Sequence, residues 1–92
     1  KDAPGALAIR RRVRALHLER IAVLSDEGRV AIAGPCPATD SPDPGDAGFT
    51  GSVIIAEFES LRAAQDWVAG DPYVTERVFE SYEVRPFIKV LP

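Results

Sequence analysis

An α+β fold with an antiparallel sheet is what this sequence predicts, on three observations. One apolar stripe at helical spacing runs from Leu7 to Leu24. Two β-rich segments, Arg29–Gly34 and Ser52–Phe58, follow with only a loop between them, so they pair antiparallel. A second, capped helix then leads into an extended end, Val78–Val90. The order is helix, strand, strand, helix, strand, without an internal repeat.

Each element carries its own signals. Pro4 suits the first turn of the long helix, whose stripe is Leu7, Val13, Leu16, His17, Ile21 and Leu24. Asp26-Glu27-Gly28 ends it, with Gly28 as the left-handed residue after the cap. Gly34-Pro35 breaks the first strand. From Pro35 to Gly51 the chain holds four prolines, three glycines and three aspartates, which makes a long loop. Ser60 caps the second helix, Leu61–Ala69, with Leu61, Ala64, Trp67 and Val68 inward and Gly70 as its stop. Asp71 caps a further short turn, with Pro72 at its first position. Phe79, Tyr82, Val84, Phe87 and Val90 supply the apolar content of the closing segment, where Pro86 demands an edge or a bulge.

Ninety-two residues make a single domain, 1–92. A chain of this size buries only about 60–65% of its unfolded surface, so a homo-oligomer that adds apolar burial is attractive. With 11 basic against 14 acidic residues the net charge is −3, which argues against nucleic acid as a partner. The basic run Arg10-Arg11-Arg12 reads as a solvated helix face. Cys36 is the one cysteine, so no internal disulfide or cysteine-rich metal site can form. No run is long enough to span a bilayer, no membrane partner is implied, and a soluble, cytoplasmic protein is expected. The chain has no methionine, so a translation start is expected upstream of Lys1.

Several short motifs occur in a telling order: Arg14-x-x-His17-Leu18, Glu27-Gly28-Arg29, Gly34-Pro35, Ala47-Gly48-Phe49-Thr50-Gly51-Ser52, Asp71-Pro72-Tyr73 and Val84-Arg85-Pro86-Phe87. Each is weak alone; together they span nearly the whole chain. The sequence resembles the YCII-related domain family, of the dimeric α/β-barrel superfamily. That resemblance implies a ferredoxin-like βαββαβ fold with spatial strand order 4-1-3-2, and a homodimer. The first, central strand of that fold is absent from this chain. A strand preceding Lys1, or one supplied by a partner chain, is therefore expected, since without it the last strand has no neighbour in its own sheet.

His17 is the lone histidine, on the apolar face of the long helix. From the residues alone a core histidine bonded to backbone is the plainer reading. The resemblance turns it toward general acid–base work, because the matching histidine of the family is proposed to act with an aspartate, here Asp71. A carboxylate can cap a helix with one oxygen and orient an imidazole with the other. Arg14, three residues before His17, shares its helix face and could hold a substrate anion, or pair with Asp71 or Glu19. Gly34 and Pro35 offer close backbone approach to a substrate, and Ser52 a strand-start hydroxyl, far more a turn residue than a nucleophile. Tyr73 and Trp67 read as core. No metal site is predicted, and no phosphate-binding loop precedes a helix.

The resemblance implies a small cofactor-independent enzyme. It would use His17 and Asp71 for proton transfer, in an elimination or isomerisation of a small oxygenated, ring-containing organic substrate. A non-catalytic dimeric module that binds a metabolite or assists a partner enzyme explains the small size equally well. An aromatic oxygenase or haem-linked relative is a weaker third reading.

Overall fold

The computed structural model describes residues 1–92. Helix α1 spans Leu7–Asp26, strand β1 Val30–Pro37, strand β2 Phe49–Ala56, helix α2 Leu61–Ala69 and the one-turn helix α3 Pro72–Thr75. The architecture is α+β and ferredoxin-like in order. Three of the expected local signals stand as read. Gly28 has φ 72° just beyond the Glu27 cap. The Ser60 hydroxyl accepts from the Ala63 N–H at 3.0 Å, capping α2. Asp71 caps α3 ahead of Pro72.

The elements differ from the sequence reading in several places: α1 begins at Leu7, beyond Pro4, β2 runs Phe49–Ala56 rather than Ser52–Phe58, and Leu61 of α2 is exposed. Gly34-Pro35 does not break β1: Pro35 pairs with Ser52, and the ladder continues to Pro37 opposite Phe49. β1 has β2 as its one neighbour and is an edge, and an edge strand accepts a proline where its N–H would face outward. On α1 the buried residues are Arg10, Val13, His17 and Leu24, while Leu16 is 57% exposed. The inward stripe is thus set one residue round from Leu16 and contains an arginine.

The first three residues occupy a central position. Asp2 N–H donates to the Thr50 carbonyl at 2.8 Å, while Ala3 N–H donates to Val78 O at 2.7 Å and Glu80 N–H to Lys1 O at 2.9 Å. Asp2 and Phe79 form an antiparallel bridge. Residues 1–3 therefore lie between β2 and the 78–81 segment, the slot that a 4-1-3-2 order assigns to the first strand. The expected strand Val78–Val90 pairs only at this beginning. Beyond Ser81 no strand lies alongside it, and Phe87, Ile88, Val90 and Leu91 are exposed.

Register decides which strand residues meet the helices. Pairing of Gly34 with Val53 and Ile32 with Ile55 places these four on one face; Pro35 and Ser52 point to the other. Ser52 bonds to Arg10 of α1, so its face is the helix-covered one. Ile32 and Val53, 61% and 51% exposed, mark the open face. The core is Ala6, Val13, Tyr73 and Val78, with Ala3, Ile9 and Phe79 against it, and it sits between α1, α3 and the terminal segments. That is where the histidine lies.

Candidate active site

α1 delivers His17 inward two turns beyond Arg10, and the turn after α2 brings Asp71 to meet it. Gly70 ends α2, Asp71 takes an extended backbone with φ −72° and ψ 138°, and its side chain folds over the first turn of α3. Asp71 Oδ1 accepts from His17 Nδ1 at 2.8 Å and from the Tyr73 N–H at 2.9 Å. Capping and orienting are thus performed by the same oxygen. Oδ2 accepts from Arg20 Nη1 at 3.1 Å. Asp71 is only 2% exposed, and its three donors compensate the burial of the charge.

An ionised carboxylate can only accept, so with Asp71 ionised the hydrogen of this contact is assigned to Nδ1. The lone pair of neutral His17 is then on Nε2. No protein group bonds to Nε2, yet no buried side-chain nitrogen or oxygen lacks a partner, so Nε2 is open to solvent. The imidazole is thus held at one nitrogen by the carboxylate and unbonded to protein at the other.

Tyr73 packs face to face on the imidazole, with ring centroids 3.8 Å apart and planes 7° from parallel. The Arg10 guanidinium carbon lies 4.8 Å from the centroid of the same Tyr73 ring, and Phe79 meets it edge-on at 5.6 Å. Burial pushes the Tyr73 phenol above its ordinary value of 10.0; the charges of Arg10 and, more weakly, Arg14 pull against this. Tyr73 therefore stays a neutral aromatic plate beside the histidine.

Arg10 corrects the reading of Arg10-Arg11-Arg12 as a solvated face. Arg11 and Arg12 are exposed, but Arg10 is 5% exposed. It donates from Nε to Asp2 Oδ2 at 2.9 Å and from Nη2 to Asp2 Oδ1 at 3.0 Å, a two-pronged pair. The same Nη2 reaches the Gly51 carbonyl at 3.1 Å and Ser52 Oγ at 2.9 Å. Ser52 is consequently held by arginine, with no base beside its hydroxyl.

Of the residues singled out in the sequence, the structure joins His17 and Asp71 directly. Arg14 is exposed and makes no hydrogen bond or ion pair, to Asp71, Glu19 or any other group. Arg20 has taken the place at Asp71. Gly34 and Pro35 lie in β1, where with Ile32, Cys36 and Val53 they line a shallow groove along the sheet. They give no hydrogen bond to the His17 cluster. Sequence reasoning missed Arg10, Arg20 and the stacking role of Tyr73. A signal existed for Arg20, which lies three residues after His17 as Arg14 lies three before it. Nothing in that spacing says that α2 ends on the Arg20 side.

The YCII-related domain pattern matches residues 1–88. Protein YciI of Escherichia coli O6:H1 is 57% identical over 90 residues, which covers 98% of this chain and 92% of that protein. An uncharacterised protein of Haemophilus influenzae is 50% identical over the same shares. Among solved structures, the 5-chloro-2-hydroxyhydroquinone dehydrochlorinase TftG of Burkholderia phenoliruptrix, in complex with 2,5-dihydroxybenzoquinone, superposes with a TM-score of 0.83. It is 28% identical, and the match covers 96% of this chain and 87% of that one. On a family pattern spanning nearly its full length and relatives at half identity or more, the chain belongs to the YCII-related domain family.

Proposed function

We propose that this protein is a cofactor-independent enzyme that moves a proton on a small oxygenated ring compound, with elimination or isomerisation as the reaction class. His17 is the general base or acid through Nε2, Asp71 orients it, and Arg14 holds the substrate's anionic oxygen. The protein would work as a homodimer. One observation carries the reading: Nδ1 is bonded to the buried Asp71 at 2.8 Å while Nε2 is left open. Arg14 supports it as a cation on the same helix with no partner of its own. The TftG name supports the substrate class, since dehydrochlorination of a hydroquinone removes one proton and one chloride. Such a step needs a base and an anion site. His17 and Arg14, three positions apart on α1, are the residues assigned to these two tasks in this reading.

The direct test is His17→Ala against a panel of hydroxylated and halogenated quinols. Its fold, followed by circular dichroism, should be kept while turnover falls about 10²–10⁴-fold, the usual contribution of a positioned base. Equal turnover by both proteins would rule out the catalytic role. A second reading, a non-catalytic binding module, is favoured by the complete hydrogen bonding around Asp71, which would suit a structural knot. In that case His17→Ala would alter ligand binding or stability, and wild type would turn over no member of the panel.

A further inference from the structure

We infer that Arg20 is a third member of the His17–Asp71 unit, a positioning residue that keeps the hydrogen on Nδ1 and the base lone pair on Nε2. The inference rests on the reading of His17 as a proton-transfer residue.

The side chain of Arg20 is fixed on several sides. Nη1 donates to Asp71 Oδ2 at 3.1 Å and Nη2 to the Trp67 carbonyl at 2.8 Å. Its guanidinium carbon sits 4.5 Å from the centroid of the Trp67 ring. The Trp67 carbonyl is one of the last acceptors of α2, left open where the helix ends. A cation is favoured there by the partial negative charge of the helix terminus. Arg20 thus ties the end of α2 to the carboxylate that begins α3, and does so from the helix that carries His17.

The consequence for His17 is chemical. Asp71 is 2% exposed, and Arg20 is the sole partner of Oδ2. Burial favours the uncharged form of a carboxyl that loses its cation. A protonated Asp71 can donate to Nδ1, whereas an ionised one can only accept. When Asp71 takes up a proton from solvent that bond reverses, the imidazole carries its own hydrogen on Nε2, and the lone pair that would take a substrate proton is lost. Arg20 touches no substrate in this scheme. It holds the polarity of the His17–Asp71 bond.

A single histidine makes the test clean, because every imidazole signal in the protein is His17. Wild type, Arg20→Met and Arg20→Gln would be labelled with ¹⁵N, and the ring tautomer read from the nitrogen shifts at a pH where the imidazole is neutral. Wild type should show Nδ1–H. Both variants should move toward Nε2–H, Met further than Gln, since Gln can still donate to Oδ2. With an active quinol, kcat should fall about 10–100-fold with KM changed little, the size seen when outer partners of functional histidines are removed.

A merely structural strut would lower Tm and leave the tautomer alone. Unchanged Nδ1–H in whichever variants fold overturns the inference, and Arg20→Gln, which keeps a donor, is the variant expected to fold if Met does not. Failure of the proton-transfer reading would show elsewhere, as full turnover by His17→Ala, and the tautomer measurement does not depend on turnover.

Discussion

Tyr73 shows how one buried side chain serves both stability and the site. It is 1% exposed, faces His17 on one side and the Arg10 guanidinium on the other, and is T-stacked by Phe79. Its phenol is raised above 10.0 chiefly by burial. A group whose pKa is higher folded than unfolded contributes stability below the unfolded value and loses it as pH climbs through the folded one. Wild-type stability should therefore fall above about pH 10, as unfolded chains ionise Tyr73 and folded ones resist. Tyr73→Phe keeps the stack and lacks the titrating group. Denaturant unfolding from pH 8 to 11 should show wild type losing stability relative to the variant as pH rises, and a constant difference would contradict this account. Arg10 makes a second prediction. It and Asp2 are both about 6% exposed at the side chain, so Asp2→Ala leaves a buried arginine with only Ser52 and the Gly51 carbonyl. Breaking one side of such a pair costs about 3–5 kcal/mol, and the loss should be read from the urea midpoint at neutral pH.

Among the elements, the caps and the antiparallel pairing of β1 with β2 were legible, while the side-chain pairings across the core were not. Ser60, Gly28 and Asp71-Pro72 specify local geometry through their own side chains and backbone freedom, so their roles could be read without knowing any neighbour. Ser60→Ala should accordingly cost about 1 kcal/mol of stability while leaving the His17 signals unmoved, which thermal unfolding and a ¹⁵N spectrum would check. The long helix was legible as an element but not in its buried face. Arg10 replaces the expected Leu16 inward because Asp2 and Ser52, distant in sequence, supply its acceptors. His17 and Asp71 were paired from a family resemblance, not from spacing, since 54 residues separate them. Likewise Gly34-Pro35 reads as a breaker only until β1 is known to be an edge. Residues 1–3 lie where a central strand belongs, between β2 and residues 78–81.

For the molecule as a whole, the sheet is the unfinished part. One face meets α1 through Ser52 and Arg10, while Ile32 and Val53 on the other are more than half exposed. Leaving such a face in water forgoes apolar burial that a 92-residue domain can ill spare. A second copy is the occupant proposed here, because a two-fold pairing sets the same apolar patch against itself and closes without leaving a sticky surface. A standard interface of roughly 800 Å² per partner would use about one-eighth of the chain's 6594 Å² surface. Sedimentation at micromolar concentration should thus give a dimer. Ile32→Glu should shift it to monomer by placing like charges on both sides of the two-fold contact. His17, Asp71, Arg20 and Tyr73 all belong to one chain and lie on the helix side of the sheet, away from Ile32. The Ile32→Glu monomer should therefore keep the Nδ1–H tautomer of His17. A wild type that sediments as monomer at every concentration would remove the dimer from this picture, and a tautomer that changes on dissociation would show that the site extends across two chains.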